Sequence, residues 1–294
     1  MAKIDVFQPR ELFSNDPPAL ESFGFRFLAE GDSWFSIGTL NLLANSNLLF
    51  EMDFQRSACA VNCAKPGDTL KRMTELHTDP NFTRLLFGRQ ARFWDAIVMS
   101  CGGNDLIEAV GSPSVDGAGH PVPPERRLLL TRDEWGPASQ GASRYLSEAG
   151  WKTFTTYLQA NFDQLIALRD RGPSRGQPIF VHGYAVPVPR PAGAGLGAGP
   201  WLFPSLQAFA IPPEDGAALA QELIMRLGRL LAATAADGAR FPRLHFFDSA
   251  AIALTPAEPG TGGVSGDWIN EIHLTRAGYR KIAVPWAAAI EAAL

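Results

Sequence analysis

Four short segments, spread from residue 31 to residue 273 of a 294-residue chain, hold the side chains best suited to chemistry. Gly31-Asp32-Ser33-Trp34 follows the β-prone run Phe25-Arg26-Phe27-Leu28-Ala29, and Ser33 opens the stretch after it. The glycine permits a sharp turn, and a hydroxyl at the start of a helix lies near its positive end. Ala64-Lys65-Pro66-Gly67-Asp68-Thr69 reads as a second turn opening a helix, which leaves the Gly67 N–H outside the helical ladder. Gly102-Gly103-Asn104-Asp105 ends another strand-like run and offers a side-chain amide. His273 stands in Asn270-Glu271-Ile272-His273-Leu274-Thr275, just ahead of a final helical pattern. Acyl transfer needs an alcohol to attack, a base within hydrogen-bond reach to take its proton, and donors aimed at the oxygen that becomes negative. Taken singly, each segment has an ordinary explanation as a helix cap, a turn or a structural histidine. Their joint presence is what carries information.

The elements that would position these residues follow from periodicity. Besides Phe25–Ala29, three runs read as strands: Trp94–Ser100, Pro178–His182 and Leu244–Asp248. Leu40, Leu42, Leu43, Leu48 and Leu49 suit a helix after Ser33. Phe154, Leu158, Phe162, Leu165 and Leu168 form one helical stripe, and Leu219, Leu223, Leu227, Leu230 and Leu231 form another. A last helix from about Thr275 carries Ile282, Trp286 and Ile290 on one face, with Pro285 expected to kink it. Alternating strands and helices predict an α/β protein with a parallel sheet covered on both faces, and in such sheets ligands bind beyond the carboxyl ends of the strands. Two Pro- and Gly-rich segments, about 111–150 and 187–213, interrupt the alternation, the second containing Gly193-Ala194-Gly195-Leu196-Gly197-Ala198-Gly199. Long connections of this kind act as lids or binding walls. The expected organisation is an N-terminal extension, 1–24, followed by a single domain, 25–294, with those two insertions.

Composition narrows the function classes. A net charge of −4 with 19% charged residues supplies no basic field for nucleic acid and no polybasic run for a membrane surface. Neither a P-loop nor Gly-x-Gly-x-x-Gly follows a strand, which argues against a nucleotide-binding protein. Met1–Leu20 carries Lys3, Asp5, Arg10, Glu11 and Asp16 and so lacks the apolar core of a signal sequence, and no later run has the length of a membrane span. The expectation is a cytoplasmic chain without stable membrane insertion. Cys59, Cys63 and Cys101 match neither a zinc site nor a disulfide framework. Cys101, beside the Asn104 turn, reads as a buried filler with no basic partner to activate it.

The order of the four segments resembles that of the SGNH (GDSL-like) serine hydrolases. Gly31-Asp32-Ser33 resembles their first block, Gly67 their second, Gly102-x-Asn104-Asp105 their third and His273 their last, and the resemblance spans roughly residues 25 to 292. It implies a three-layer α/β/α, flavodoxin-like domain and no metal or organic cofactor. It implies further that Ser33 attacks a carboxylic ester with His273 as base. The Ser33 N–H, the Gly67 N–H and the Asn104 side chain would then form the oxyanion hole. An esterase, lysophospholipase, thioesterase or carbohydrate deacetylase fits, with a small-molecule, lipid or carbohydrate ester as partner. The alternative is a degenerate member of the same fold that binds a ligand without turning it over.

That alternative arises because the family's aspartate three residues before the histidine is here Asn270, and an amide cannot stabilise an imidazolium as a carboxylate does. Either Asp267 or Glu271 supplies the carboxylate, or Asp248 reaches across, or a main-chain carbonyl fixes the ring and the pair works as a dyad. The dyad and Asp267 are the favoured readings. The phrase Trp268-x-Asn270-Glu271-x-His273 also resembles one in some bacterial members, which makes Asn270 look like a subgroup trait. Trp34, where the family has leucine, is a candidate wall for the substrate or a core residue. His182, at the end of a strand, is a candidate substrate contact or a satisfied structural histidine.

Overall fold

The computed structural model describes residues 1–36, 46–195 and 197–294. In chain order the strands are β1 (Ala2–Lys3), β2 (Asp5–Phe7), β3 (Phe25–Gly31), β4 (Asp53–Phe54), β5 (Ala58–Asn62), β6 (Ala96–Ser100), β7 (Ile179–His182) and β8 (Leu244–Phe247). The helices are α1 (Ser33–Ser36), α2 (Leu70–Thr74), α3 (Pro80–Leu86), α4 (Gly103–Val110), α5 (Glu148–Arg169), α6 (Phe203–Ala208), α7 (Gly216–Ala236) and α8 (Arg276–Ala293). The helical stretch expected through Leu40, Leu42 and Leu43 lies outside the described residues, as does Leu196.

Six strands form one parallel sheet in the order β2-β5-β3-β6-β7-β8, while β1 and β4 make a two-residue antiparallel pair. Every residue of β5, β6 and β7 is buried, as strands covered on both faces must be. From β3 the chain steps to β5 on one side and then returns across β3 to β6, β7 and β8. Right-handed crossovers therefore place α1 on one face and α2 to α5 with α7 on the other, and α8, after the last strand, packs on the α1 face. The contacts agree: Trp286 of α8 packs on Phe35, His182 and Phe247, whereas Leu158 of α5 and Leu227 of α7 converge beneath Gly102. This is the three-layer α/β/α architecture that the resemblance implied.

Helix stripes supply the core. All five apolar positions of α5 and all five of α7 named above are buried, each contributing about 1.5–3 kcal/mol relative to an exposed position. Ser147 caps α5 through the Gly150 N–H, and Thr275 caps α8 through the Gly278 N–H. The Thr275 cap fixes where α8 begins, two residues after His273. Pro285 lies inside α8, which continues through it to Ala293.

The extension is joined to the sheet, because Asp5–Phe7 pairs in parallel with Cys59–Val61. The first insertion holds only 3-10 turns and irregular backbone up to the Ser147 cap, and the second contains the short helix α6. The order of β5, β3, β6, β7 and β8 reverses direction between β3 and β6, and the crevice at such a point is where open α/β sheets bind ligands. The register Gly31↔Ser100 brings both strand ends to that crevice together. A Cβ on Gly31 would lie 2.9 Å from Ser100 side-chain and backbone atoms, so only glycine allows this approach.

Candidate active site

β3 and α1 deliver Ser33, and the loop ahead of α8 delivers His273. Their side chains meet across the crevice, with His273 Nε2 2.7 Å from Ser33 Oγ. On the other edge of the ring, Nδ1 lies 3.0 Å from Asn270 Oδ1. That oxygen also accepts the main-chain N–H groups of Ile272 at 3.1 Å and His273 at 2.9 Å. Two backbone donors fix which end of the amide faces the ring, since an NH₂ group there would oppose N–H to N–H. Nδ1 must then carry the ring proton, and Nε2 is left to accept from the serine. The tautomer problem raised by an asparagine at this position is thus removed by the loop's own backbone. His273 is 1% exposed, and burial pushes its pKa down to about 3.

The carboxylates offered as partners for the ring point elsewhere. Asp267 faces away from His273, accepting from the Thr255 N–H at 2.6 Å and pairing with Lys281 at 2.6 Å. Asp248 is exposed and caps the turn Ser249–Ala251. Glu271 turns into the second insertion, where its oxygens accept from three successive N–H groups: Trp201, Leu202 at 2.9 Å and Phe203 at 2.7 Å. These are the orphan donors at the start of α6. Arg190, also in that insertion and fully buried, donates to the Asn270 carbonyl at 2.7 Å and to the Thr261 carbonyl at 2.9 Å. Trp201 closes the arrangement by standing edge-on to His273, 5.2 Å between ring centres. The insertion and the histidine loop are therefore one assembly, which a tally of motif residues does not reveal.

Three groups were expected as oxyanion donors, and of their residues Ser33 and Asn104 line one cavity. The Ser33 N–H heads α1, where the helical ladder gives it no acceptor. Lys65-Pro66-Gly67-Asp68 is a turn closed by the Asp68 N–H on the Lys65 carbonyl at 3.3 Å, with Gly67 at φ +81°. That angle at the third position is the type II geometry, which favours glycine. The turn is tied to the nucleophile strand by the Lys65 N–H on the Gly31 carbonyl, 2.9 Å, and to Asn104 by the Asn104 Nδ2 donor on the Asp68 carbonyl, 3.1 Å. One Asn104 proton remains for a ligand. A donor of this kind is worth about 10²- to 10³-fold in rate when aimed at a developing oxyanion.

Below Ser33 lies a network with no sequence signature. The Asp32 carboxylate accepts from Tyr184 Oη at 2.5 Å, Ser100 Oγ at 2.8 Å and the Trp34 N–H at 2.9 Å. Burial raises its pKa to about 6, the three hydrogen bonds opposing that rise. The Tyr184 ring fills the space where a Cβ on Gly103 would come within 2.6 Å, which joins the strand after β7 to the Asn104 turn.

Trp34 serves both readings. Its ring packs on His182, Tyr184 and Tyr279 and its Nε1 donates to the Ile272 carbonyl at 3.2 Å, yet it also lines the cavity beside Ser33. His182 does not line that cavity. It is fully buried in an aromatic cluster with Trp34, Phe35 and Trp286, contacts the Gly183 carbonyl and Ser249, and has its pKa lowered to about 4 by burial. Of the two readings given for it, His182 takes the structural one, a core position under the site.

All three cysteines are free and buried, and burial drives each thiol away from its reactive form. Among the described residues, Glu30, Asp68 and Asp79 are the acidic groups close enough together to share a cation. The Lys65 ammonium already sits 2.7 Å from Asp79, and burial with the two aspartate charges pushes the Glu30 pKa well up. No described helix is long and apolar enough to cross a membrane.

Fold and site together define an α/β protein with a Ser-His-Asn arrangement at the switch point of its sheet. No family model matches the chain, and no curated protein matches it in sequence. In structure it is similar to an extracellular lipase from Streptomyces rimosus, at 16% identity over 90% of this chain and 99% of that one, TM-score 0.46. It is also similar to a carbohydrate acetylesterase from Sinorhizobium meliloti, at 13% identity over 92% and 100%, TM-score 0.48. A catalytic mutant of an acetylxylan esterase from Geobacillus stearothermophilus gives 13% identity over 92% and 95%, TM-score 0.43.

Proposed function

We propose that the protein is a serine hydrolase of the SGNH type that cleaves carboxylic esters through an acyl-enzyme on Ser33. The observation that carries this reading is the 2.7 Å contact between Ser33 Oγ and His273 Nε2, with the ring held from behind by Asn270. In the first half-reaction Ser33 Oγ attacks the ester carbon while Nε2 takes its proton. Negative charge gathers on the carbonyl oxygen, toward the Ser33 and Gly67 N–H groups and Asn104 Nδ2. Collapse expels the alcohol, which leaves with the proton from Nε2. Water then enters, gives its proton to Nε2, and releases the acid and Ser33. Every step uses side chains and main-chain groups of this chain alone.

Asn270 does not argue for a lapsed enzyme on this reading. It supplies the tautomer and the ring orientation that an aspartate supplies, but not the charge, so the imidazolium formed during each half-reaction is stabilised by a dipole only. The expected enzyme is competent and slower than a full triad would make it.

The test is labelling with a fluorophosphonate followed by peptide mapping. The adduct is expected on Ser33, and Ser33→Ala is expected to lose both the label and at least about 10³-fold of the ester hydrolysis. Undiminished hydrolysis by Ser33→Ala sinks the proposal.

A further inference from the structure

Glu30 is the next-to-last residue of β3, just ahead of the turn that carries Ser33, and its side chain is fully buried. Its Oε1 accepts the Gly31 N–H at 2.7 Å, while among the described residues its Oε2 has no hydrogen-bond partner. A buried acceptor without a donor is costly, so what faces it decides its role. One carboxylate oxygen from each of Glu30, Asp68 and Asp79 lies within 4.8 Å of the other two. Asp79 is satisfied: Oδ1 accepts the Phe82 N–H at 3.1 Å, and Oδ2 meets the Lys65 ammonium at 2.7 Å. Asp68 is not, since its Oδ2 is a second buried acceptor without a donor among the described residues.

Three carboxylates and one ammonium leave excess negative charge where water cannot solvate it. A single proton answers both problems. Placed on Glu30, it turns an orphaned acceptor into a donor for Asp68 and cancels one charge, across a span bridged directly or through one water. The other groups nearby are already committed. Lys65 is spent on Asp79 and on the Thr78 carbonyl at 2.8 Å, and Arg72 on the Gly67 carbonyl and Glu108, each at 3.1 Å. Burial keeps the Cys63 and Cys101 thiols neutral. Burial and the Asp79 and Asp68 charges also raise the pKa of Glu30, in the direction that retains a proton.

We propose that Glu30 is a positioning residue for the oxyanion turn: as a neutral acid it donates to Asp68 and latches Lys65-Pro66-Gly67-Asp68 to the strand that carries Ser33. Its effect on turnover rests on the hydrolase reading above. Asp68 is half-buried, whereas Glu30 and Asp79 are wholly enclosed, so Asp68 is the member able to move. Loss of the Glu30 proton sets a buried anion against the Asp68 carboxylate, which turns toward water. The turn goes with it, carrying the Gly67 N–H and the carbonyl that holds Asn104 Nδ2. The latch is closed at low pH and opens as pH rises, opposite in sense to the limb set by His273.

Two measurements on the full chain test this, with circular dichroism to establish folding. In an infrared difference between the unaltered protein and Glu30→Gln at neutral pH, the carbonyl band of one protonated carboxylic acid is expected. In p-nitrophenyl acetate hydrolysis, kcat/KM of the unaltered protein is expected to fall at least about tenfold along an alkaline limb, part of the roughly 10²- to 10³-fold that one oxyanion donor is worth. Glu30→Gln, whose amide donates to Asp68 at every pH, is expected to fall less than about threefold over the same range. Should it misfold, Asp68→Asn removes the opposing charge and is expected to flatten the limb in the same way. A carboxylate band alone overturns the proposal, as does an alkaline limb that is missing from the unaltered protein or equal in both. So does a melting temperature raised by calcium or magnesium chloride in the unaltered protein but not in Glu30→Gln, which would make the cluster a cation site. Absence of Ser33-dependent turnover at every pH overturns the hydrolase reading and with it the effect on turnover, while the infrared band still decides whether Glu30 holds the proton.

Discussion

Asn270 illustrates how one side chain can replace part of another's work. Its Oδ1 accepts from two backbone N–H groups and faces His273 Nδ1 at 3.0 Å, so it can orient the ring without being able to neutralise it. Asn270→Asp keeps those acceptors and adds a charge beside the imidazole, and a neighbouring opposite charge favours the protonated form. The acidic limb of kcat/KM is therefore expected at higher pH in Asn270→Asp than in the unaltered protein, where burial holds His273 down at about 3. A pH–rate profile whose limb does not move, or moves to lower pH, contradicts this account. Ser33, His273 and Asn104, which the structure brings to one crevice, were legible in the sequence because each sits in a turn with its own residue signature. The group behind the histidine was harder to read. Asp267 and Glu271 are equally near in sequence, and only the backbone path of the loop decides that one carboxylate meets Lys281 and the other the start of α6.

Among the elements, strands with a β-branched or aromatic run were readable and the others were not. Ala58–Asn62 is built of alanine, cysteine and asparagine around one valine, and Asp5–Phe7 is three residues long, so both become strands through their partners in the sheet. The second insertion reads as a loop in sequence, yet it is anchored to the site by Arg190 and Glu271. This coupling has a measurable outcome. Glu271→Ala strands the three N–H groups ahead of α6 and frees the segment that carries Trp201 and Leu202. It is expected to lower kcat/KM for ester hydrolysis, by about 10²-fold if His273 shifts by an ångström. Full retention of activity in folded Glu271→Ala would show that the insertion holds itself in place.

For the molecule as a whole, four of the buried titratable groups form two opposing pairs. His182 and His273 fall from 6.5 to about 4 and about 3, so the unfolded chain binds more protons and stability declines as pH drops below 6.5. Asp32 and Asp105 rise from 3.8 to about 6, so the folded chain binds more protons and their contribution is lost as pH rises toward 6. Across about pH 4 to 6 the slopes oppose each other, and these four groups leave stability nearly flat. His182→Phe keeps a ring in the aromatic cluster and removes one member of the first pair. Relative to the unaltered protein it should gain stability on acidification through that window, by at most about 1.4 kcal/mol per pH unit. Urea unfolding at pH 6 and pH 4.5 measures the difference, and a constant gap between the two proteins refutes the assignment.

The separation of Ser33 from His273 along the chain also has a consequence for biosynthesis. The last strand of the sheet ends at Phe247 and the base does not follow until residue 273. A ribosome that has made the whole sheet has therefore made Ser33, Gly67 and Asn104, the proposed nucleophile and donors, but not His273, the proposed base. A nascent chain, or one cut between Phe247 and His273, carries Ser33 without the histidine that would activate it. On the proposed reading, the order of residues along the chain makes the base the last part of the site to be synthesised.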